Sequence, residues 1–408
     1  MKRHWQMLQM GLLGVACALG ATAYGAATAP ARAADEKPVI VGGTLGLTGA
    51  FAGPSAEYKA VYERWAAEVN KAGGLLGRKV ELRIYNDEST PTTAQALYNR
   101  LIDQDHADLL LAPYTTFVGG AIVPIVLSHH MLLFNGGFVG INLFDHAKGS
   151  IIGSYTYQEP DYTRGIFDLI KTLPASRRPT RVAILTSQNP FTIVDRQGYE
   201  GRGGALNLAK AAGMTVVVDE QYPPATTDFT GLIQKAKAAK ADLLLSLGLP
   251  NDELQIARTV KQQDYKPAIY CVCGSQMTTV PAWFKLGDAN EGVMGTTVSW
   301  PNQGYPGLAD LAKFFEARGY DALPTYGVVS MTILEVLTEA VNGAKSLDQA
   351  KLKAYIHSHT FRTVAGDLKF QANGTPVYHE VILQTLKDKD QVVWPEKYRT
   401  AAPLVPMR

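Results

Sequence analysis

Short apolar runs alternate with stretches of helical periodicity through most of the chain. The apolar runs are rich in Val, Ile and Leu, as are strands that are buried on both faces of a parallel sheet. The first series predicts strands at 39–47, 79–87, 107–112 and 131–134, separated by helices at 55–70, 92–104 and 117–128. This regular alternation of strand and helix indicates βαβ units and a mostly parallel sheet.

The same alternation begins again near residue 161. It predicts strands at 181–186, 215–221, 241–247 and 268–273, and helices at 161–171, 195–212, 229–239 and 252–263. The runs 107–111 and 241–245 both read Ala-Asp-Leu-Leu-Leu and hold the same rank in the two series. The repetition therefore suggests two lobes of similar build.

The chain beyond residue 292 supplies more elements than one lobe needs. We predict further strands at 293–299, 367–370 and 380–386, and helices at 308–317, 328–342 and 347–357. This excess indicates that the chain crosses back between the lobes through several hinge strands. The predicted fold class is α/β with two Rossmann-like lobes, the N-terminal one formed by 37–157 plus 279–366 and the C-terminal one by 158–278 plus 367–408.

The N-terminus has the pattern of a secretory signal peptide. Lys2, Arg3 and His4 precede an apolar run at 7–24, and the small residues Ala31 and Ala33 flank a cleavage position. The run is interrupted by glycine and is shorter than the roughly 20 apolar residues that span a bilayer. We therefore predict a signal peptide at 1–33, cleavage near Ala33 and a mature protein outside the cytoplasm.

Charge and cysteine content exclude several classes of protein. The net charge is +2 with 19% charged residues, and the Lys and Arg residues are scattered, so no basic surface for nucleic acid is expected. Cleavage of the signal peptide leaves only Cys271 and Cys273, so disulfides are not expected to hold the fold together. These two residues could oxidise to a strained ring, but two thiols at one strand end are the favoured interpretation.

The strongest candidate ligand site follows the predicted strand 107–112. Ligands of open parallel sheets bind beyond the carboxyl ends of the strands. There Tyr114, Thr115, Thr116 and Phe117 open a helix, whose unpaired amides and dipole favour a carboxylate or carbonyl oxygen. One of the two threonines could instead act only as the helix N-cap, although a cap and a ligand group can share one turn.

Two further loops leave strand ends of the first series. Gly136, Gly137 and Phe138 follow the strand 131–134, where glycine would let a ligand approach the backbone, or would simply form a turn. The loop 46–53 carries Phe51 but has neither the Gly-x-Gly spacing of a dinucleotide site nor the lysine of a phosphate loop. We therefore predict no nucleotide and no other cofactor.

The pattern does not predict an enzyme. A serine hydrolase motif Gly-x-Ser-x-Gly is absent, and none of the eight histidines lies in a His-Glu-x-x-His metal motif. Binding without bond chemistry is the favoured interpretation.

A series of short motifs resembles one known family. The motifs are Thr48-Gly49 with Gly53, the run 69–78 with its Gly-Gly pair, Asn86-Asp87-Glu88, Asp228-Phe229, Asp242, the run 366–370 followed by Asn373-Gly374, and Trp394-Pro395. In this order and spacing they resemble the type I periplasmic substrate-binding proteins of the branched-chain amino-acid transporter class. The resemblance runs from about Lys37 to Pro406.

The resemblance implies two lobes joined by three hinge strands, which close on a small organic solute and deliver it to an ABC permease. In leucine/isoleucine/valine-binding proteins, the loop matched by 115–117 receives the ligand's carboxylate. The strand end matched by 136–138 helps to bind the ligand's ammonium group. The acidic partner of that ammonium falls near Cys273, where this sequence has no carboxylate.

This departure bears on the ligand, because an ammonium group buried without an anion costs several kcal/mol. We therefore expect an aromatic or other non-amino carboxylate. The candidate cleft loops hold seven aromatic residues that suit such a body, namely Phe51, Tyr114, Phe117, Phe138, Tyr162, Phe191 and Trp300. The alternatives are a branched-chain or related amino acid or amide, or a ligand sensor for a membrane receptor. The protein is expected to be a monomer.

Overall fold

Two sheets, each with helices on both faces, form the core of the computed structural model. The structure describes residues 37–274 and 277–407. The predicted signal peptide at 1–33 lies outside the described residues. The strands and helices follow the alternation that the apolar pattern predicts, so the predicted α/β class with two lobes is confirmed.

The first sheet has five strands in the order β2-β1-β3-β4-β5, and all of its pairings are parallel. Its strands are β1 Val39–Leu45, β2 Val80–Asn86, β3 Leu109–Leu111, β4 Leu133–Asn135 and β5 Ile151–Gly153. The helices between them are α1 Ala52–Lys71, α2 Pro91–Asp103, α3 Thr116–Ser128 and α4 Ile141–Ala147.

Both faces of the first sheet are buried, which explains why its strands read as continuous apolar runs. One face packs against α1 through Tyr62 and Trp65. The other face packs against α2 and α3 through Tyr98 and Ile122.

The second sheet has seven strands in the order β14-β13-β10-β9-β8-β6-β7. The parallel strands are β6 Arg181–Ser187, β7 Thr215–Tyr222, β8 Leu243–Leu247, β9 Ile269–Val272 and β10 Met294–Thr297. The helices of this part are α5 Arg164–Thr172, α6 Pro190–Gln197, α7 Ala205–Ala211, α8 Thr230–Ala238, α9 Pro250–Gln262 and α10 Pro281–Phe284.

The last part of the chain contributes to both lobes. Its elements are α11 Leu308–Glu316, α12 Thr325–Ala344, α13 Gln349–Ser358, β11 Thr360–Thr363, β12 Gly366–Lys369, β13 Val381–Leu386 and β14 Lys389–Trp394. Helices α11 to α13 and the β11-β12 hairpin pack in the core of the first lobe, whereas β13 and β14 extend the second sheet with antiparallel pairings. Six short 3-10 turns complete the described chain: Glu159–Asp161, Ala175–Arg177, Met277–Thr279, Gly287–Ala289, Pro301–Gln303 and Glu396–Tyr398.

The chain crosses between the lobes three times, after β5, after β10 and before β13. The first and third crossing segments are joined by two hydrogen bonds. Thr156 donates its hydroxyl to the carbonyl of His379 at 2.6 Å, and the amide of His379 donates to the carbonyl of Thr156 at 3.0 Å. These bonds hold two hinge segments side by side.

The structure differs from the predicted lobe assignment at β10. We predicted that 279–366 belongs to the first lobe, but β10 pairs with β9 and β13 of the second sheet. The apolar run 293–299 has no feature that distinguishes one buried sheet from the other, so its place depends on tertiary pairing. The predicted boundary between 366 and 367 is also displaced, because β12 pairs with β11 and packs in the core of the first lobe. The remaining lobe boundaries stay predictions.

The predicted helix 195–212 is in fact two helices, α6 and α7. Four glycines with positive φ, Gly198, Gly201, Gly203 and Gly204, form the turn between them. Positive φ is easily adopted only by glycine, so this cluster ends a helix. Helix α4 and strands β5, β11 and β14 were not predicted. Strands β5 and β11 are only three and four residues long, so they leave little periodicity to detect. Within the described ranges, no helix is both long enough and apolar enough to cross a membrane.

Replacement of Phe134 by Ala tests the first core. Phe134 lies in β4 and is completely buried, so Phe134→Ala should lower the free energy of unfolding by about 3–5 kcal/mol. Chemical denaturation measures the change. Val377→Ala is the control, because Val377 is 57% exposed and should change stability by less than about 0.5 kcal/mol. Equal effects of the two substitutions would contradict the placement of β4.

Candidate functional site

A cavity of about 340 Å³ lies between the two lobes. The loops after β1, β3 and β4 line it from the first lobe, and those after β6, β7, β8 and β9 line it from the second. In each sheet the strand order reverses direction beside these loops, at β1/β3 and at β6/β8. Such switch points leave a crevice at the carboxyl ends of parallel strands, and ligands bind there in open α/β folds.

Nine of the predicted ligand contacts line the cavity, and Gly136, Cys273 and the predicted cleft aromatic Trp300 do not. The predicted residues that line it are Phe51, Tyr114, Thr115, Thr116, Phe117, Gly137, Phe138, Tyr162 and Phe191. The further lining residues are Val139, Tyr155, Gln188, Asn189, Pro190, Pro224, Leu249, Pro250, Gly274 and Tyr326.

The N-terminus of α3 opens into the cavity. Thr115 is the N-cap, and its Oγ1 accepts a hydrogen bond from the amide of Phe117 at 3.2 Å. The amide of Phe117 is therefore used by the cap rather than left for a ligand. The amides of Thr116 and Val118 have no acceptor within the helix, because the first turn of any helix lacks one. Of these two residues only Thr116 lines the cavity, so its amide and its hydroxyl are the donors that α3 offers there.

In the loop after β4, backbone amides are bound by a side chain of the strand itself. Asn135 Oδ1 accepts hydrogen bonds from the amides of Gly137 at 2.9 Å and Phe138 at 3.0 Å. These two amides are therefore used within the loop, and the predicted backbone contact of this strand end with a ligand stays a prediction. Gly136 accepts a hydrogen bond from the hydroxyl of Tyr58 through its carbonyl and faces away from the cavity. Gly137 is close to the backbone of Pro113, because a Cβ atom there would lie 2.1 Å from the Pro113 carbonyl oxygen.

Aromatic rings form most of the cavity wall. The ring of Tyr114 contacts those of Phe51 and Tyr326 edge to face, with centroids 5.5 and 5.2 Å apart. On the other side Tyr162 and Phe191 make a similar contact at 4.9 Å. The hydroxyls of Tyr114 and Tyr326 are 3.1 Å apart and form a hydrogen bond. The predicted aromatic lining is thus present, although Trp300 packs beside β13 and β14 and does not line the cavity.

The second lobe adds amide groups that sequence reasoning missed. Asn189 caps α6, because its Oδ1 accepts a hydrogen bond from the amide of Thr192 at 3.2 Å. Its buried Nδ2 has no hydrogen-bond partner among the described residues. Gln188 lies next to it at the cavity. The Asn-Pro pair before α6 is a helix-start signal that would have located these residues if the helix had not been predicted to begin at 195.

Cys273 takes no part in the cavity wall. It is completely buried and forms a disulfide with Cys271, which corrects the favoured interpretation of two free thiols. The next residue, Gly274, lines the cavity instead. A carboxylate at position 273 is absent, and none of the described lining residues carries a charged side chain.

Two carboxyl groups lie buried behind the first-lobe wall. Glu57 is close to Tyr114, and burial raises the pKa of Glu57 well above the usual value. Glu159 accepts a hydrogen bond from the amide of Ile141 at 3.3 Å and lies close to the side chain of Thr116, and burial raises its pKa to about 8. Burial therefore disfavours the charged form of both carboxyls. Residues 37–274 and 277–407 contain no group of three side chains suited to hold a metal ion.

The chain is similar to known solute-binding proteins. Residues 38–391 match the family model described as periplasmic binding protein. A leucine-, isoleucine-, valine-, threonine- and alanine-binding protein of Pseudomonas aeruginosa is 24% identical over 347 residues, which cover 81% of this chain and 86% of the relative.

Two solved structures have the same fold. An amino acid ABC transporter substrate-binding protein of Pseudomonas fluorescens Pf-5 is 18% identical with a TM-score of 0.75, and the match covers 88% of this chain and 97% of that one. An ABC transporter solute-binding protein of R. palustris, solved in complex with benzoate, is 17% identical with a TM-score of 0.73, covering 91% and 98%. Together with the match of the family model to most of the chain, these results show that the protein belongs to the periplasmic binding protein family, whose members bind small molecules in the periplasm and work with ABC transporter permeases.

Proposed function

We propose that this protein captures a small aromatic or other non-amino carboxylate between its lobes and delivers it to an ABC permease. The observation that carries the proposal is the chemistry of the cavity, which has aromatic walls, neutral donors at one end and no charged side chain among its described lining residues.

The charge of the cavity favours a carboxylate over an amino acid. A carboxylate can be held by hydroxyl and backbone N–H donors at a helix N-terminus, which the dipole assists. A ligand ammonium group needs acceptors and is costly to bury without an anion. Behind the first-lobe wall, burial raises the pKa of Glu57 and of Glu159 and so disfavours a negative charge on either carboxyl. Behind the second-lobe wall, Asp252 accepts a hydrogen bond from the amide of the lining residue Leu249.

The size and walls of the cavity favour a flat apolar body. A volume of about 340 Å³ lies at the lower end of the range for small-molecule sites, about 300–1,000 Å³. Rings from both lobes, such as Tyr114 and Phe191, can contact an aromatic ligand edge to face. The R. palustris protein that was solved with benzoate shows that this fold can hold such a ligand.

Binding is expected to favour closure of the two lobes. Thr116 belongs to the first lobe and Asn189 to the second, so a solute that contacts both has more contacts in the closed state. A ligand shifts the equilibrium by its difference in affinity for the two states. The closed, loaded form is then what the permease recognises.

A branched-chain or related amino acid is the second candidate. It is favoured by the match to the Pseudomonas aeruginosa relative, which is named for binding such amino acids. The absence of a carboxylate near position 273 argues against it.

The ligand class is tested by direct binding. Purified mature protein should bind benzoate in calorimetry at pH 6.5, whereas leucine should bind at least about tenfold more weakly, because its ammonium group has no charged partner. Benzamide, which has the same ring and no charge, is the control for the carboxylate and should also bind weakly. Micromolar binding of leucine without binding of benzoate or other aromatic acids would refute the proposed ligand class.

The role of α3 is tested at Thr116. Thr116→Ala should weaken benzoate binding at least about tenfold, because a hydrogen bond to a charged group contributes about 1.5–3 kcal/mol. Thr116→Ser keeps the hydroxyl and should retain most of the affinity. If calorimetry gives the same dissociation constant for the Ala variant and the unaltered protein, the ligand's carboxylate is not bound at this helix end.

Lobe closure is tested in solution by small-angle X-ray scattering. Saturating benzoate should decrease the radius of gyration, since a ligand held by both lobes stabilises the more compact state. The matched control is benzoate added to the Thr116→Ala variant at a concentration far below its dissociation constant. Identical profiles for loaded and unloaded unaltered protein would contradict closure.

A further inference from the structure

Glu159 lies directly behind the proposed carboxylate site. It begins the 3-10 turn Glu159–Asp161 after the first crossing between the lobes, and only 1% of it is exposed. The amide of Ile141 donates to its Oε2 at 3.3 Å, and the side chain of Thr116 is close enough to its carboxyl to lower the pKa of Glu159. The methyl group of Thr116 lies against Gly140, because a Cβ atom there would be 2.8 Å from Thr116 Cγ2. The Thr116 side chain is thus held between Gly140 and Glu159.

The groups around Glu159 carry no balancing positive charge. Asp161 lies on the same turn, and α6, which packs against this turn, carries Asp195 and Arg196. Asp195 is completely buried, and both of its carboxyl oxygens lack a hydrogen-bond partner among the described residues. Arg196 pairs with Asp219 on β7.

The remaining charged groups nearby have other partners. Helix α4 carries Asp145 and His146, and Asp145 pairs with Arg202 at 2.9 Å. Arg164 pairs with Asp161 at 3.3 Å. Buried Glu380, on the third crossing, accepts hydrogen bonds from Tyr378 and from the amide of Gly165, and helix α3 carries no titratable side chain. Within the described residues, no ion pair is formed by Glu159.

We infer that Glu159 is a positioning residue that acts in its protonated form: its O–H donates to Thr116 Oγ1, so that the Thr116 hydroxyl can donate to the solute's carboxylate. This inference rests on the proposed function. A threonine hydroxyl has one proton. If Glu159 were ionised, that proton would be drawn to Glu159, and the oxygen of Thr116 would present only lone pairs to an anionic ligand.

Solute affinity should therefore depend on a proton. Burial raises the pKa of Glu159 to about 8, so the carboxyl is protonated in the free protein below this pH. Above it, binding a carboxylate requires Glu159 to take up one proton, because two adjacent anions with no cation between them repel each other. The dissociation constant should be nearly constant from pH 6 to about 7.5. It should then increase, approaching tenfold per pH unit above the pKa of Glu159.

The test uses benzoate as the probe and the full mature protein. Calorimetry between pH 6 and 9.5 should give the profile described above. Titrations at pH 9 in two buffers of different ionisation enthalpy should show uptake of close to one proton per benzoate, and titrations at pH 6 should show none. This measurement needs no variant, so it tests the inference even if substitutions at position 159 impair folding.

The Glu159→Gln variant separates the carboxyl from other titrating groups. The glutamine amide is uncharged, similar in shape and able to donate to Thr116 Oγ1. The variant should therefore bind benzoate at pH 6 with a dissociation constant within about threefold of that of the unaltered protein, and its affinity should not decrease at pH 9. Asp195→Asn removes the neighbouring buried carboxyl, and this variant should still bind benzoate more weakly at pH 9 than at pH 6. Melting curves confirm that both variants are folded.

The possible failures can be distinguished. Binding of benzoate at pH 6 with no proton uptake at pH 9 overturns the role of Glu159 and leaves the proposed function standing. Equal pH profiles for Glu159→Gln and the unaltered protein also overturn that role. A lack of binding of benzoate and other aromatic acids at every pH overturns the proposed function, and with it the inference.

Discussion

The carboxylate that we propose as the solute would have to be held in the cleft without a cation. Moving a carboxylate from water into a closed cavity removes its hydration, and the described wall has no lysine, arginine or histidine to replace that hydration. The available compensation is a set of neutral donors in fixed positions, namely the amide and the hydroxyl of Thr116 at the start of α3, supported by the helix dipole. The position and the direction of each donor therefore matter more than they would beside a positive charge.

The fold fixes the position and the direction of these donors. Strands β1, β3 and β4 are parallel neighbours, so their carboxyl ends meet at one edge and place three loops around the same point. Thr115 fixes the start of α3 as its cap, and Asn135 fixes the adjoining loop with hydrogen bonds to two amides. Backbone amides that could have donated to a ligand instead donate to these two side chains and hold the loops in place.

The second lobe completes the cavity through its own switch point. The loops after β6 and β8 bring Asn189, Pro190 and Leu249 opposite the first lobe. Because the three crossings are short segments, with the first and third bonded together, relative movement of the lobes is expected to be a hinge motion. A neutral cavity with aromatic walls then discriminates by the charge and shape of the solute.

Much of the fold could be predicted from the sequence, because strands buried on both faces leave continuous apolar runs and helices leave a period of 3.6 residues. The same logic located Thr115 and Thr116, which follow such a run. It could not locate Glu159, because burial of a polar residue in a turn depends on what packs over it. It predicted a ligand contact at 136–138 but could not show that Asn135 accepts hydrogen bonds from the amides of 137 and 138, because hydrogen-bond partners within a loop have no periodic signature. The sheet to which β10 belongs was likewise decided by tertiary pairing.

A crystal structure of the mature protein with benzoate would test the central claim most directly. The account predicts electron density for the ligand between the lobes, with the carboxylate within hydrogen-bond distance, about 2.7–3.2 Å, of Thr116 Oγ1 and of an amide in the first turn of α3. The ring should lie against Tyr114 and Phe191. Density with the carboxylate turned toward the second lobe, or a ligand outside this cavity, would contradict the claim that α3 holds the anion.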